Sequence, residues 1–366
     1  MITRLRGLVA AWTIIVPLLA VVLLILTWGR SLPGTLVGLV TLVLAGSVLA
    51  AVHHAEVVAH RVGEPFGSLV LAIAVTVIEV ALIVTLMADG GDKSSTLARD
   101  TVFAAVMITC NGVVGMSLLV GSLRHGTAVF NAEGTGAALA TVATLATLSL
   151  VLPTFTTSQP GPQFSGVQLT FAAISSLVLY GLFVATQTVR HRDYFLPITR
   201  QGEVITSEDH AAAPSARTAW ISLGLLGMAL VGVVGLAKGV SPTVESAVEA
   251  AGLHHAVVGV IIALLVLLPE TIAALRSARR DRVQTSLNLA LGSAMASIGL
   301  TIPAVALASL WLPGPLVLGL GSTHMLMLLL TVVVTSLTVV PGRATPLQGG
   351  VHLVIFAAYL ELAINP

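Results

Sequence analysis

The 366 residues are 56% hydrophobic and only 9% charged, with a formal net charge of +1. This composition excludes a water-soluble globular protein and indicates an integral membrane protein whose partner is the lipid bilayer. Long apolar runs exclude a β-barrel, and the single cysteine, Cys110, excludes an internal disulfide and a cysteine-based metal site. We expect no nucleic acid partner, and the composition leaves the oligomeric state open.

Apolar runs of about 20 residues, long enough to cross a bilayer as helices, recur along the chain. The first run lacks a signal-peptide cleavage site, so we expect it to remain as a helix. The one extended polar stretch, 191–217, is predicted to be a cytoplasmic linker, and 241–252 a short helix at the membrane surface. The eleven predicted spans are 8–28, 33–58, 66–88, 101–123, 133–153, 166–189, 218–238, 256–275, 284–309, 315–340 and 347–364.

The basic residues give the predicted orientation, because Lys and Arg concentrate in cytoplasmic segments. With the N-terminus inside, thirteen of the 17 Lys and Arg residues fall in inside segments. The sequence therefore predicts an all-α polytopic membrane protein with a cytoplasmic N-terminus and an external C-terminus. Low Lys usage and a bias toward Ala, Gly, Val and Arg fit a high-GC bacterium, so we expect the bacterial plasma membrane.

An internal repeat relates the two halves of the chain. The segment "LVLAIAVTVIEVALI", residues 69–83, aligns with "VIIALLVLLPETIAA", residues 260–274, and the alignment places Glu79 on Glu270. Each copy holds five spans, and an odd number makes the second copy cross the membrane in the opposite sense. Inverted repeats of this kind are typical of secondary transporters, which bind substrate near the membrane midplane.

A second match supports the repeat. The next predicted helix starts with Arg99-Asp100 in one copy and with Arg280-Asp281 in the other. The predicted organisation is an extra N-terminal helix (1–30), a first repeat (31–190), the linker (191–217) and a second repeat (218–366).

The two glutamates are the main functional candidates. A charge near the bilayer centre costs at least about 2.5–3.5 kcal/mol, so an intramembrane acid usually marks an ion or proton pathway. A protonated Glu that hydrogen-bonds neighbouring helices is the alternative. Two facing carboxylates suit a divalent cation, and a bound cation competes with the protons that burial favours. The pair therefore predicts cation/proton exchange at Glu79 and Glu270.

Other oxygens are available to such an ion, since Ca²⁺ binds about 6–8 oxygen ligands. Thr76 lies one turn before Glu79 on the same helix face. Pro269 has no amide hydrogen, so the carbonyl of Leu265 loses its helical partner and is predicted to turn toward the ion. The neighbouring spans offer Asn111 and Ser293, with Asn288 and Ser297 as secondary candidates.

A second cluster lies near the cytoplasmic end of the second span. His53, Glu56 and His60 share one helix face, which predicts a proton entry, a pH sensor or a transition-metal site. An ordinary polar helix end is the alternative. In the linker, an acidic group is a candidate cation sensor or simply a solvated loop: Glu208, Asp209 and His210.

The segments "GEPFGSLVLAIAVTVIEVALI" and "LPETIAALRSARRDRVQTSLNLALGSAMASIGLTIPAVA" resemble the two alpha repeats of the calcium/cation antiporter superfamily. "HHAEV" and "TVRHRDYF" resemble its bacterial ChaA-type calcium/proton antiporters. The resemblance implies cation/proton exchange, with Glu79 and Glu270 in the positions of the family's essential acids. The broader branch reads Gly-Asn-Ala-Thr-Glu or Gly-Asn-Ala-Ala-Glu at each acid, whereas this chain has Val75 to Glu79 and Val266 to Glu270, which leaves the ligand set and ion selectivity open.

We therefore expect a secondary active antiporter that exports Ca²⁺ in exchange for H⁺, with Ca²⁺ as transported ion and no cofactor. The ChaA-type branch is also linked with Na⁺ and K⁺, so a Na⁺(K⁺)/H⁺ antiporter is the first alternative. A passive cation channel is the next, although two acids on inverted repeats argue against a continuous pore. An intramembrane metalloenzyme using the histidines of the second span is third, and we expect no enzyme.

Overall fold

The structure is a computed structural model that describes residues 2–30, 34–63, 66–88, 95–199, 214–253, 256–312 and 314–365. Ten of the described helices are long and apolar enough to cross a membrane, and Ala11–Thr27 is a shorter apolar helical stretch. These eleven segments correspond to the eleven predicted spans. The protein is an all-α polytopic membrane protein.

Three of the spans contain a π-helical segment, and two short strands pair in an antiparallel manner, with Ala128 opposite Ala344. The helices are α1 (Ile2–Thr27), α2 (Gly34–Val62), α3 (Phe66–Ala88), α4 (Leu97–Met107), α5 (Val114–His125), α6 (Ala132–Ala146), α7 (Leu152–Phe155), α8 (Gly166–Ala185), α9 (Ala216–Ala250), α10 (Ala256–Arg279), α11 (Val283–Gly299), α12 (Thr301–Ala308), α13 (Ser322–Val339) and α14 (Pro346–Ile364). The π-helices are Ile108–Val113, Thr147–Val151 and Thr186–Arg190, a 3-10 helix spans Arg192–Phe195, and the strands are β1 (Ala128–Val129) and β2 (Arg343–Ala344).

The prediction of a separate surface helix at 241–252 is wrong. Helix α9 continues through Pro242 to Ala250, so that span and surface helix form one element of 35 residues. A proline inside a helix removes one hydrogen bond and its ring clashes with a carbonyl. The helix nevertheless continues here, with Val240 and Val248 buried on the two sides of Pro242. At about 1.5 Å per residue, α9 is longer than the hydrocarbon core of a bilayer.

The first part of the predicted linker is ordered. Arg192–Phe195 is a 3-10 helix whose Phe195 ring lies buried, 5.6 Å from the Phe183 ring in a T-shaped contact. The predicted cation-sensor residues Glu208, Asp209 and His210 lie outside the described residues.

The chain divides into two compact units. Unit 1 comprises residues 1–89 and 209–258, with α1, α2, α3 and α9. Unit 2 comprises residues 90–208 and 259–366 and holds the other helices. Each unit takes helices from both predicted repeats, so the repeat boundaries stay predictions about chain order.

In unit 1, the N-terminal helix α1 packs against α2 and α9 at glycines. A Cβ added to Gly232 would lie 2.7 Å from Cβ of Ala20, and a Cβ added to Gly46 would lie 3.1 Å from Cγ1 of Val16. A polar contact joins α1 and α2, because Nε2 of the buried His54 lies 2.9 Å from the carbonyl oxygen of Thr13.

In unit 2, connections between helices meet at two opposite ends. At the first, called end A, β1 pairs with β2, and Gln284 Oε1 accepts a 2.6 Å hydrogen bond from the backbone N–H of Asn131. At the other, end B, the connection before α13 contacts the connection after α7, where the Gly319 N–H donates to the Pro162 carbonyl at 3.0 Å. Arg99 also donates to the Gly319 carbonyl there, at 3.2 Å.

The prediction that the two Arg-Asp pairs occupy equivalent positions at helix starts is wrong. Arg99 and Asp100 lie in the first turn of α4, where Arg99 Nε is 2.7 Å from the carboxylate of Asp100. Arg280 and Asp281 instead lie between α10 and α11, and Asp281 has a φ of 59°, a left-handed conformation that ends the helix. The matching letters arise from different positions relative to the helix start.

Candidate ion-binding site

Helix α3, which belongs to unit 1, carries Glu79 at a buried position. Glu79 is 3% exposed and Thr76, one turn earlier on the same face, is 6% exposed. Ile78 and Leu82 beside them are also buried. The structure thus places the two predicted oxygen donors of α3 one turn apart, both at buried positions.

Glu270 lies in α10, which belongs to unit 2 from Gly259 onward. The helix runs through Pro269 without ending, so the Leu265 carbonyl has no amide hydrogen at residue 269 to accept. Thr271 Oγ1 donates to the Leu267 carbonyl at 2.8 Å, and Oε2 of Glu270 is buried. That the Leu265 carbonyl turns toward an ion stays a prediction.

Two contacts show the level of Glu270, that is, its position along the helix axes of unit 2. A Cβ added to Gly259 would lie 3.3 Å from Cβ of Asp100, and toward the other end a Cβ added to Gly121 would lie 3.9 Å from the Ala278 carbonyl oxygen. Helix α10 thus runs parallel to the span formed by α4 and α5. Glu270 lies eleven residues beyond Gly259, and the eleventh residue beyond Asp100 is Asn111.

The same reasoning locates Ser293. Helix α11 runs antiparallel to α5, since Ser286 Oγ donates to Ser117 Oγ at 2.6 Å and a Cβ added to Gly121 would lie 2.8 Å from Cγ2 of Val283. Ser293 follows Ser286 by seven residues, and Asn111 precedes Ser117 by six. Asn111, Ser293 and Glu270 therefore share one level of unit 2, which is the level of the π-helix Ile108–Val113.

The side-chain amide of Asn111 is held on both sides. It is fully buried, its Nδ2 donates to Thr331 Oγ1 at 2.9 Å, and its Oδ1 lies 3.2 Å from His352 Nδ1. An amide oxygen has two lone pairs, so the bond to His352 leaves one of them for another partner. The prediction that Asn111 is a ligand is compatible with this arrangement.

The two secondary candidates differ. Asn288 donates to the Phe195 carbonyl at 2.6 Å and accepts from Gln284 Nε2 at 2.8 Å, so its amide anchors the 3-10 helix against α11. We therefore leave Asn288 out of the proposed ion site. Ser297 is buried one turn beyond Ser293, and its role as a ligand stays a prediction.

The histidine cluster of α2 divides into exposed and buried residues. His53, Glu56 and His60 are exposed, whereas His54 is buried against α1. Among the described residues, no group of three His, Cys, Asp or Glu side chains is arranged to hold a metal ion. The proton-entry and sensor roles of the cluster stay predictions, and the transition-metal alternative gains no support.

Sequence reasoning missed His54 and His352. Both are ionisable residues inside predicted spans, which is the signal that would have selected them. Their partners, Thr13 and Asn111, are remote in sequence, so no local pattern indicates the contacts.

A helical membrane protein built from inverted repeats, with buried carboxylates inside its spans, belongs to the class of secondary ion transporters. The sequence model of the family described as sodium/calcium exchanger protein matches residues 30–189 and 221–365. The chain therefore belongs to this family, within the calcium/cation antiporter superfamily. It is a cation exchanger and not an enzyme, and it resides in a membrane.

Individual proteins agree with this assignment. The putative ionic transporter y4hA of Sinorhizobium fredii is 47% identical over 365 residues, covering 98% of this chain and 97% of that protein. The sodium-potassium/proton antiporter ChaA of Escherichia coli is 35% identical over 353 residues, covering 95% and 94%. The fold is similar to that of native YfkE, with a TM-score of 0.71, 16% identity and coverage of 97% of this chain and 99% of that one. The H⁺/Ca²⁺ exchanger CAX gives a TM-score of 0.69 at 14% identity, with coverage of 98% and 89%.

Proposed function

We propose that the protein exports Ca²⁺ in exchange for external protons by alternating access across the bacterial plasma membrane. Glu79 and Glu270 bind the cation and the protons in competition. The burial of Glu79, beside Thr76 in a membrane-spanning helix, is the observation that carries this proposal. A buried carboxylate in hydrocarbon is stable when it holds a proton or shares a cation, so occupancy by one excludes the other.

The proposed oxygen ligands are the candidates that the sequence predicts. On α3 they are Glu79 and Thr76, and on α10 they are Glu270 and the Leu265 carbonyl. Asn111 and Ser293 complete the set, and their common level with Glu270 supports this choice. Carboxylate, amide, hydroxyl and carbonyl oxygens are the ligands that a hard cation such as Ca²⁺ prefers.

Exchange of Na⁺ or K⁺ for H⁺ is the second candidate. It is favoured by the 35% identity to ChaA, which is named a sodium-potassium/proton antiporter. Ca²⁺ is favoured by the two carboxylates and by the fold shared with the H⁺/Ca²⁺ exchanger CAX. The N-terminus is proposed to lie in the cytoplasm and the C-terminus outside, because most basic residues then face the cytoplasm.

The test is ion-driven proton flux in proteoliposomes that contain a pH-sensitive dye. Ca²⁺, Na⁺ and K⁺ are added in turn to wild type, Glu79→Gln and Glu270→Gln. Glu361→Gln is the matched control, because Glu361 is an exposed acid near the end of α14. We expect Ca²⁺ to drive proton movement in wild type and control and in neither of the other variants.

The alternatives give different results. A response to Na⁺ or K⁺ without one to Ca²⁺ would change the substrate and keep the mechanism. Cation flux without proton movement would indicate a channel. Full exchange in either Glu79→Gln or Glu270→Gln would refute the two-carboxylate site.

A further inference from the structure

The amide of Asn111 belongs to a buried hydrogen-bond chain that joins three spans. Thr331 and Thr338 on α13, His352 on α14 and Asn111 on the π-helix Ile108–Val113 are all buried. His352 Nδ1 lies 3.2 Å from Asn111 Oδ1, and its Nε2 lies 3.2 Å from Thr338 Oγ1. These hydrogen-bonded side chains lie level with Glu270 along the helices of unit 2, where they can affect ion binding.

The hydroxyl of Thr331 decides how this chain is oriented. It donates its single hydrogen to the Met327 carbonyl at 2.8 Å, so it can only accept from Asn111. Asn111 therefore turns Nδ2 toward Thr331 and Oδ1 toward His352. Because Oδ1 only accepts, this contact requires the hydrogen of His352 on Nδ1. Nε2 is then an acceptor, and the Thr338 hydroxyl donates to it rather than to the Val334 carbonyl, which lies 2.9 Å from the same oxygen.

Close helix packing keeps the imidazole in place. A Cβ added to Gly115 would lie 2.9 Å from Cβ of His352 and 3.1 Å from the Gly349 carbonyl oxygen. A Cβ added to Gly349 would lie 2.6 Å from the backbone nitrogen of Leu119. The backbones of α14 and α5 thus approach each other at small residues, as in tightly packed membrane helices.

We propose that His352 is the positioning residue of the ion site in unit 2. Its Nδ1–H fixes the rotamer of Asn111 by bonding one lone pair of Oδ1, and the second lone pair is left for the transported cation. Thr331 holds the opposite side of the amide and Thr338 holds Nε2. This inference rests on the proposed role of Asn111 as a cation ligand. Partners behind a metal ligand typically change metal affinity or activity by about 10–100-fold when they are lost.

Two amide substitutions separate the hydrogen bond from packing. In His352→Asn the side-chain NH₂ occupies the place of Nδ1, whereas in His352→Gln it extends toward the place of Nε2. The measurements are KM and kcat of proton flux with the cation that drives the wild type, and the cation-induced rise in melting temperature. We expect His352→Gln to raise KM about 10-fold with kcat less affected, and His352→Asn to remain within about twofold of wild type.

The result that would overturn the inference is equal behaviour of the two variants, either both unchanged in KM or both equally impaired. A fall in kcat and melting temperature without a change in KM would likewise indicate a packing role. Asn111→Ala provides a second check, since His352→Gln should add no further increase in KM to it. Glu270→Gln is measured alongside. If Glu270→Gln still exchanges cation for protons as the wild type does, the proposed function is refuted. If Glu270→Gln abolishes exchange but His352→Gln leaves KM unchanged, only the present inference is refuted.

Discussion

Replacing His54 by Phe tests how α1 is attached, and the expected effect depends on residue 17. Pro17 lies inside α1 and has no N–H, so it cannot bond the carbonyl of Thr13 four residues earlier. His54 on α2 occupies that carbonyl instead, with Nε2 at 2.9 Å. Because a carbonyl only accepts, Nε2 carries the hydrogen. His54→Phe keeps an aromatic ring and removes the donor.

The magnitude follows from this geometry. A single interhelical hydrogen bond in a membrane protein contributes about 0.6 kcal/mol on average and at most about 1.7 kcal/mol. Leaving a buried acceptor unsatisfied costs about 1–3 kcal/mol. We therefore expect His54→Phe to lower the free energy of unfolding by about 1–2 kcal/mol. In a Pro17→Ala background the backbone N–H of residue 17 can bond Thr13, so the same change should cost less than about 0.5 kcal/mol.

The assay is a double-mutant cycle of reversible unfolding in mixed micelles, with wild type, both single variants and the double variant. His53→Phe is the matched control, because His53 is the exposed neighbour on the same helix. It should change stability by less than about 0.5 kcal/mol. If His54→Phe costs the same with and without the Pro17→Ala substitution, the reasoning is wrong, since the Thr13 carbonyl would then not be the reason for the contact.

Two further predictions concern packing in unit 2. Gly349→Ala should destabilise the protein by about 1–3 kcal/mol, because the new Cβ would meet backbone atoms of Leu119 at 2.6 and 2.9 Å. Gly350→Ala is the control, since no atom lies within 4 Å of its added Cβ, and comparison of melting temperatures decides. Ser117→Ala and Ser286→Ala should each cost about 1 kcal/mol through their buried 2.6 Å bond. Their double variant should cost less than the sum, and strict additivity in unfolding experiments would contradict a direct bond.

Apolar composition was sufficient to predict the number of spans and the approximate position of each. The span predicted for 66–88 coincides with α3, Phe66–Ala88. The prediction for 315–340 began too early, because residues before Ser322 form an extended connection whose Gly319 N–H bonds the Pro162 carbonyl. Hydropathy cannot distinguish an apolar helix from an apolar segment whose backbone bonds a distant connection.

Only part of the candidate site could be predicted from the sequence, because some of its contacts join residues that are remote in sequence. Glu79 and Glu270 stand out because an acid in hydrocarbon needs an explanation at the level of sequence. His352 and His54 have that signal too, but their roles depend on Asn111 and on the Thr13 carbonyl, which are remote in sequence. The π-helix at Ile108–Val113 has no sequence pattern of its own, and it changes which side chains of this span face α13 and α14.

The inverted repeat is supported more strongly by contacts between connections than by matching residues. A two-fold relation between the repeats makes the α5–α6 connection equivalent to the α12–α13 connection, and the α7–α8 connection equivalent to the α13–α14 connection. If the α5–α6 connection contacts the α13–α14 connection, the α12–α13 connection must therefore contact the α7–α8 connection. Unit 2 contains both contacts, at end A through β1 and β2 and at end B through Gly319 and Pro162.

Contacts made at the starts of two helices follow the same two-fold relation. Gln284, at the start of α11, bonds the backbone before α6, and Arg99, at the start of α4, bonds the backbone before α13. Different side chains thus make equivalent contacts, whereas the identical Arg-Asp pairs do not. Such contacts relate the two halves at positions where their residues differ, which explains why the self-comparison detects the acids but misplaces the helix starts.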